Sequence, residues 1–312
     1  MSSIAFVANQ LSIRGSEVAL YDYAKGCRDI LGMQVYLFYP EGCDMTSYEK
    51  FKAEFWPCIT SFNSLQHLEQ MVKELNIENV YWIKAGFNDG KLIPGVRNIV
   101  HSVFNISDPH GDRYAYVSKW LSDQNGGAPY VPHIVHLPEV EGNYREMLNI
   151  PPDATVFGRY GGYEQMDISY IPNAIAKALN MAPDIYFLLM NTKYLGFEHP
   201  RVIYLEGTTD LEVKRAFMNS IDAFVLGRTD GESFGLAVCE ALFCNKPVIT
   251  NLECRDRHHI QVLGSKGFYY TSENELATIL ALFEAPGHQY FKLVEEFSPQ
   301  AVMEKFEEVF LK

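Results

Sequence analysis

Residues 231–249 read "GESFGLAVCEALFCNKPVI", and two glutamates, Glu232 and Glu240, stand in this stretch with seven residues between them. The apolar run "AFVLGR" (223–228) precedes it and reads as a strand; Gly231 and Gly235 bracket Glu232, and a helix is expected from about Phe234. The free amides of such a first turn, together with the helix dipole, suit a phosphate. Glu240 lies two turns further on, too far to serve only as an N-terminal charge. Ala237, Val238, Ala241 and Leu242 make most of its helix apolar, so Glu240 faces buried surface unless a polar partner meets it. The spacing admits three readings: solvated helix charges, a metal pair, or carboxylates that hold hydroxyl groups.

Working outward, short β-rich runs alternate with helical patterns along the whole chain. "IAFVA", "QVYLFYP", "NVYWIKA", "NIVHSVF" and "HIVHLP" come before residue 140; "TVFGRY", "IYFLLMN", "RVIYLEG", "AFVLGR", "PVITN" and "GFYYT" come after it. Near-continuous apolar strands separated by helix-length segments indicate parallel sheets covered on both faces. The segment "LPEVEGNYREMLNIPPDA" (137–154) interrupts the rhythm with charge, Gly and a Pro-Pro pair, which marks the interdomain connection. The expected organisation is therefore an α/β chain of two doubly wound, Rossmann-like domains, 1–140 and 151–296. A terminal helix at 297–312 follows, with a Ser cap, Pro at its first position and an apolar stripe at Val302, Phe306 and Phe310. That stripe needs a surface to pack on.

Composition narrows the function classes. At 312 residues the chain exceeds what one core usually fills. A formal charge of −13, without any basic run, argues against a nucleic-acid partner. It does not exclude an anionic small molecule, because a few local donors suffice for one pocket. The six cysteines form no C-x-x-C pair and the start "MSSIAFVANQ" lacks the features of a signal peptide, so reduced thiols in a cytoplasmic protein are expected. No apolar run approaches the ~18 residues that span a bilayer; peripheral membrane contact stays open.

The stretch 231–249 resembles the E-x7-E element of GT-B glycosyltransferases, specifically the retaining enzymes of family 4, with its Phe-Gly-Leu and the following "KPVI". Four further stretches agree in order: "IRGSEVALYDYA" (13–24) resembles the N-terminal glycine loop and helix, and "YAYVSKWL" (114–121) the strand and serine closing the first domain. "VFGRYGG" (156–162) resembles the arginine-bearing loop opening the second domain, and "FSPQAVMEKF" the helix that crosses back. The resemblance implies the GT-B fold, with two domains facing a cleft. It also implies that Glu240 accepts hydrogen bonds from the ribose hydroxyls and that Glu232 contacts a hydroxyl of the donor sugar. The amides around Phe234, Gly235 and Leu236 would meet the sugar and diphosphate. An ionised carboxylate is acceptor-only and takes hydroxyl protons in charge-assisted bonds, which is the chemistry such roles need.

In that family an arginine and a lysine neutralise the donor diphosphate. Arg159 matches the arginine, but Glu164 or Gln165 occupies the lysine position. Arg228 is a substitute for the missing cation, or a structural pair. The base is expected near "VIYLEGTT" (202–209), at Gly207. Gly15, Ser16 and Arg14 either make a tight turn into a capped helix or cradle phosphate or acceptor oxygens. The resemblance places a histidine near the reacting sugar, and His101 fits better than His110. Asp108, His110 and Asp112 alternate in a Pro-Gly loop, where turn formation outweighs metal binding. His258 and His259 read as a surface helix feature.

The sequence thus points to a retaining, metal-independent glycosyltransferase with a nucleotide diphosphate sugar as donor and no other cofactor. Its acceptor hydroxyl would sit on a glycan, a lipid-linked molecule or a small molecule. Catalytic roles fall to Glu232, His101 and Arg159. The alternatives are a catalytically idle GT-B module that binds a sugar nucleotide or glycan, and a sugar phosphorylase of the same fold. A nicotinamide dehydrogenase is disfavoured because no G-x-G-x-x-G follows a strand.

Overall fold

The computed structural model describes residues 2–312. Two compact units divide the chain: one holds the residues up to Ile134 together with Glu296–Lys312, the other is Val135–Glu295. The segment 137–154 thus lies wholly in the second unit, and the crossing falls a few residues before it.

The first unit has strands β1 (Ser3–Val7), β2 (Gln34–Pro40), β3 (Ile59–Phe62), β4 (Asn79–Lys84), β5 (Arg97–Ser102) and β6 (Arg113–Tyr116). They form one parallel sheet in the order β3-β2-β1-β4-β5-β6. Its helices are α1 (Gly15–Asp29), α2 (Tyr48–Phe55), α3 (Leu65–Glu74) and α4 (Lys119–Gln124). Side chains of β1 alternate between faces: Ile4 and Phe6 join the cluster of Leu20 and Tyr23 from α1, whereas Ala5 and Val7 join that of Leu68 and Val72 from α3. This two-sided burial is why the strands read as unbroken apolar runs.

One expectation fails here, and one strand was not expected. "HIVHLP" forms no strand, although it is mostly buried; Pro132 precedes it and Pro138 ends it, and neither has a ladder donor. The edge strand β3, "ITSF", went unread because four residues with two hydroxyls carry little pattern.

The second unit has strands β7 (Thr155–Arg159), β8 (Ile185–Met190), β9 (Val202–Leu205), β10 (Ala223–Leu226), β11 (Gly231–Glu232), β12 (Val248–Asn251), β13 (Asp256–Arg257) and β14 (Phe268–Tyr270). Helices α5 (Ile171–Met181), α6 (Leu211–Ser220), α7 (Leu236–Phe243) and α8 (His258–Leu263) lie between them, and α9 (Glu273–Ala281) follows β14. Six strands form a parallel sheet, β14-β12-β10-β7-β8-β9, and β11 pairs with β13 in a separate two-stranded ribbon. Counted from β7, the order repeats that of the first unit counted from β1. In each sheet the chain reverses its direction of travel beside the first strand, and in such sheets ligands bind beyond the carboxyl ends of the strands at that reversal.

Helix α10 (Pro299–Phe306) ends the chain within the first unit. Val302, Phe306 and Phe310 are buried against Tyr23 and Tyr81, so the apolar stripe has its surface. Ser298 precedes the helix but its side chain makes no capping hydrogen bond. No helix among the described residues is long and apolar enough to cross a membrane.

Candidate functional site

The reversal point of the second sheet lies between β7 and β10. Arg159 is the last residue of β7, and Tyr160 follows it; Gly227 and Arg228 follow β10. The Asp167 amide donates to the Gly227 carbonyl at 3.0 Å, which ties the loop after β7 to the end of β10.

From Arg228 the chain turns into β11. Gly231 takes φ +72°, and a β-carbon there would run into the Asp256 carbonyl of β13. Gly235 takes φ +84° immediately before α7, with an added β-carbon 3.0 Å from Glu232 Cβ. Only glycine adopts both positions without strain. Phe234 between them is buried, its ring stacked on His258 at 5.0 Å and 20°. The Leu236 amide opens the helix.

Glu232 accepts from Arg228 Nη1 at 3.0 Å, and both side chains are less than one-fifth exposed. Burial pushes the Glu232 carboxyl above its ordinary range, opposed by Arg228 and Arg159. Arg159 is itself buried: Nη1 donates to the Asn191 carbonyl (2.9 Å) and Thr192 Oγ1 (2.8 Å), and Nη2 to the Gly162 carbonyl (2.6 Å). Desolvation lowers its pKa to about 10, while Glu232 pulls in the other direction. Asn191 Nδ2 also donates to the Gly161 carbonyl at 2.7 Å, and Gly207 backs onto the Asn191 side chain. The loops after β7, β8 and β9 are thereby stitched together. In the loop after β7, Gln165 accepts from the Gly162 amide at 3.2 Å and Glu164 faces Lys193 at 3.7 Å, and neither residue is a cation.

Glu240 on α7 is 3% exposed. Tyr160 donates its hydroxyl to one carboxylate oxygen, and Lys214 Nζ from α6 stands 3.6 Å from the other. The ammonium also lies 5.4 Å from the Tyr160 ring centroid, and that ring packs edge-on against Phe217 and Phe224. A carboxylate offers about four acceptor positions. These two partners leave Glu240 with acceptor capacity.

In the first unit, Arg14 occupies the N-cap of α1 without a side-chain cap bond, and Ser16 donates to the Glu17 carboxylate at 2.8 Å rather than capping. Burial raises the pKa of Glu17. Gly15 has ordinary φ, and a β-carbon there would meet nothing within 4 Å, so neither turn geometry nor packing demands glycine.

The catalytic assignment of His101 is corrected. It is fully buried: Nδ1 pairs with the Tyr81 hydroxyl at 2.7 Å and Nε2 faces the Val131 carbonyl at 2.9 Å, among the rings of Tyr23, His133 and Phe310. With both nitrogens engaged in the core it is a structural histidine, not one that meets a substrate. Its desolvation lowers the pKa to about 4. His110 is held by the Asp108 carbonyl at 2.7 Å, while Asp108 and Asp112 accept the amides of Asn88 and Asn98. Those acids shape turns.

His258 and His259 are not a surface feature; they are 2% and 0% exposed. His258 Nδ1 lies 2.7 Å from the Phe234 carbonyl. Burial lowers the two pKa values to about 4 and about 3. Sequence reading also missed Tyr160 and Lys214. Tyr160 adjoins Arg159 in a quoted motif, which was a usable signal; a lone lysine on an amphipathic helix gives none.

Sequence comparison finds no matching family model and no matching curated protein. Comparison with solved structures does find matches. HepE (Alr3699) of Anabaena in complex with UDP-glucose superposes with a TM-score of 0.70 at 14% identity, over 99% of this chain and 96% of that one. A glycosyltransferase from Rickettsia africae gives 0.67 at 14%, over 99% and 97%. WaaG, a glycosyltransferase of lipopolysaccharide biosynthesis, gives 0.66 at 13%, over 98% and 99%. The chain has the GT-B fold. At this identity the likeness extends to the fold and not to a donor, an acceptor or a reaction.

Proposed function

We propose that this GT-B chain is a retaining glycosyltransferase that moves a sugar from a nucleotide diphosphate sugar to an acceptor hydroxyl. The observation that carries the reading is the convergence of Glu232, Arg228, Arg159 and Glu240 around the reversal point of the second sheet, beside the glycine that starts α7. HepE, of the same fold, is a structure with UDP-glucose bound.

Glu240 takes the ribose hydroxyls with its remaining lone pairs. Glu232 takes a sugar hydroxyl, its charge held in place by Arg228. The first amides of α7 receive the diphosphate. The developing negative charge is stabilised by those amides, by Arg228 and by Arg159, whose field reaches the site through Glu232. A leaving phosphate oxygen takes the acceptor proton on the front face, so the chain contributes positioning rather than a protein acid/base pair. No metal or further cofactor enters this scheme, and the cytoplasm is the proposed compartment.

One observation favours a second reading, a module that binds the donor without turning it over. No lysine stands in the loop after β7, and both arginines already hold internal partners.

A thermal-shift screen over UDP-, GDP-, ADP- and TDP-glucose tests the site, because a ligand at 100 times its Kd stabilises by about 2.7 kcal/mol. Stabilisation by one nucleotide class, followed by transfer with the same anomeric configuration in the product, is expected. Stabilisation without hydrolysis or transfer selects the binding module; no stabilisation by any nucleotide sugar contradicts both.

A further inference from the structure

A trans peptide unit is planar, and its carbonyl and N–H point in opposite directions. Where the carbonyl of one residue is held, the amide of the next is therefore aimed. The Phe234 carbonyl lies 2.7 Å from His258 Nδ1, and since a carbonyl only accepts, Nδ1 carries the proton and donates. The imidazole is buried on α8, which is anchored through β13 to β11, the ribbon that carries Glu232.

Peptide geometry then directs the amide of Gly235 away from α8. We propose that His258 is a positioning residue: by holding the carbonyl of Phe234, it aims the Gly235 N–H group at the anionic oxygens of a nucleotide diphosphate. The inference rests on the donor-site reading above and adds to it the part that preorganises the loop. Preorganised amides stabilise an anion without reorienting when it arrives, which is where such donors gain their strength. Burial keeps the ring neutral at ordinary pH. It acts from behind the loop through geometry, not as a cation that meets phosphate.

Two substitutions separate this role from packing. His258→Phe keeps a ring for the stack on Phe234 and removes the N–H; His258→Asn returns an N–H close to the place of Nδ1. Against the tightest-binding member of the UDP-, GDP-, ADP- and TDP-glucose panel, His258→Phe is expected to weaken affinity at least about tenfold. Affinity for the matching nucleoside, which lacks phosphates, should stay near the wild-type value, and His258→Asn should recover most of the loss. Wild-type sugar-nucleotide affinity in a folded His258→Phe protein overturns the inference, as does an equal loss toward the nucleoside. Should His258→Phe not fold, His258→Gln, which moves the donor to the Nε2 position, supplies the same comparison. If the wild type binds no member of the panel, the donor-site reading itself fails. Amide hydrogen exchange over residues 233–235 then decides the clamp: faster exchange in the variant that lacks the Nδ1 donor, restored in His258→Asn, supports it, and unchanged exchange overturns it.

Discussion

The phenolic hydroxyl of Tyr160 donates to the Glu240 carboxylate, and both side chains are buried. A carboxylate in an apolar helix needs such a partner. Tyr160→Phe keeps the ring packing against Phe217 and Phe224 but leaves the Glu240 oxygen one donor short. The expected cost is about 1–3 kcal/mol of stability in the second unit. All three tryptophans, Trp56, Trp82 and Trp120, lie in the first unit, so hydrogen exchange in α6 and α7 is the measurement; unchanged protection would mean that Lys214 alone satisfies Glu240.

Gly235 sits at φ +84°. A left-handed residue with a side chain costs about 1–2 kcal/mol, and Gly235→Val adds crowding against Glu232. Chemical denaturation of Gly235→Ala and Gly235→Val should show both less stable than wild type, the valine variant more so.

Arg228→Gln leaves Glu232 without its adjacent cation. The folded-state pKa of Glu232 is already raised by burial, so the native state holds its proton to higher pH than the unfolded chain does. Stability from such a group is present at low pH and lost as pH rises through the folded pKa. The deficit of Arg228→Gln should therefore be larger at pH 8 than at pH 5, by about 1.5 kcal/mol. A deficit independent of pH would show that Arg159 suffices.

His101 shows the opposite sign. Its folded pKa is lowered to about 4 from the ordinary 6.5, so the unfolded chain binds the proton first on acidification. The contribution of the neutral ring is complete above pH 6.5 and is lost as pH falls toward 4, about 3 kcal/mol in all. Tryptophan fluorescence, which reports the first unit, should show this loss, and His101→Gln should flatten it. An equally steep loss in His101→Gln would assign it to other groups.

The fold was readable because doubly wound sheets write themselves as repeated apolar runs, and all six runs read after residue 140 are strands of the second sheet. The runs before it yielded four strands and one error, "HIVHLP", whose apolar character reflects burial without a ladder. In the site, Glu232, Gly235 and Glu240 stood in one contiguous motif and were visible. Not all partners of that motif were, because Lys214 reaches Glu240 and His258 reaches Phe234 from other helices and neither leaves a local pattern. His101 failed for a related reason: its position near the end of β5 was legible, whereas the aromatic core that encloses it includes Tyr23 of α1 and Phe310 of the C-terminal residues.

The central claim is that Glu240 accepts the ribose hydroxyls of a nucleotide sugar. Calorimetric titration of wild type and Glu240→Gln, each with the preferred donor and its 2′-deoxyribose analogue, tests it most directly. Glu240→Gln replaces a charged acceptor by an amide and should cost about 1.5–3 kcal/mol of binding. The 2′-deoxy donor should bind more weakly to the wild type yet lose little further affinity in Glu240→Gln, because the two changes remove one interaction. If the two losses simply add, Glu240 does not hold the ribose, and its carboxylate serves only Tyr160 and Lys214.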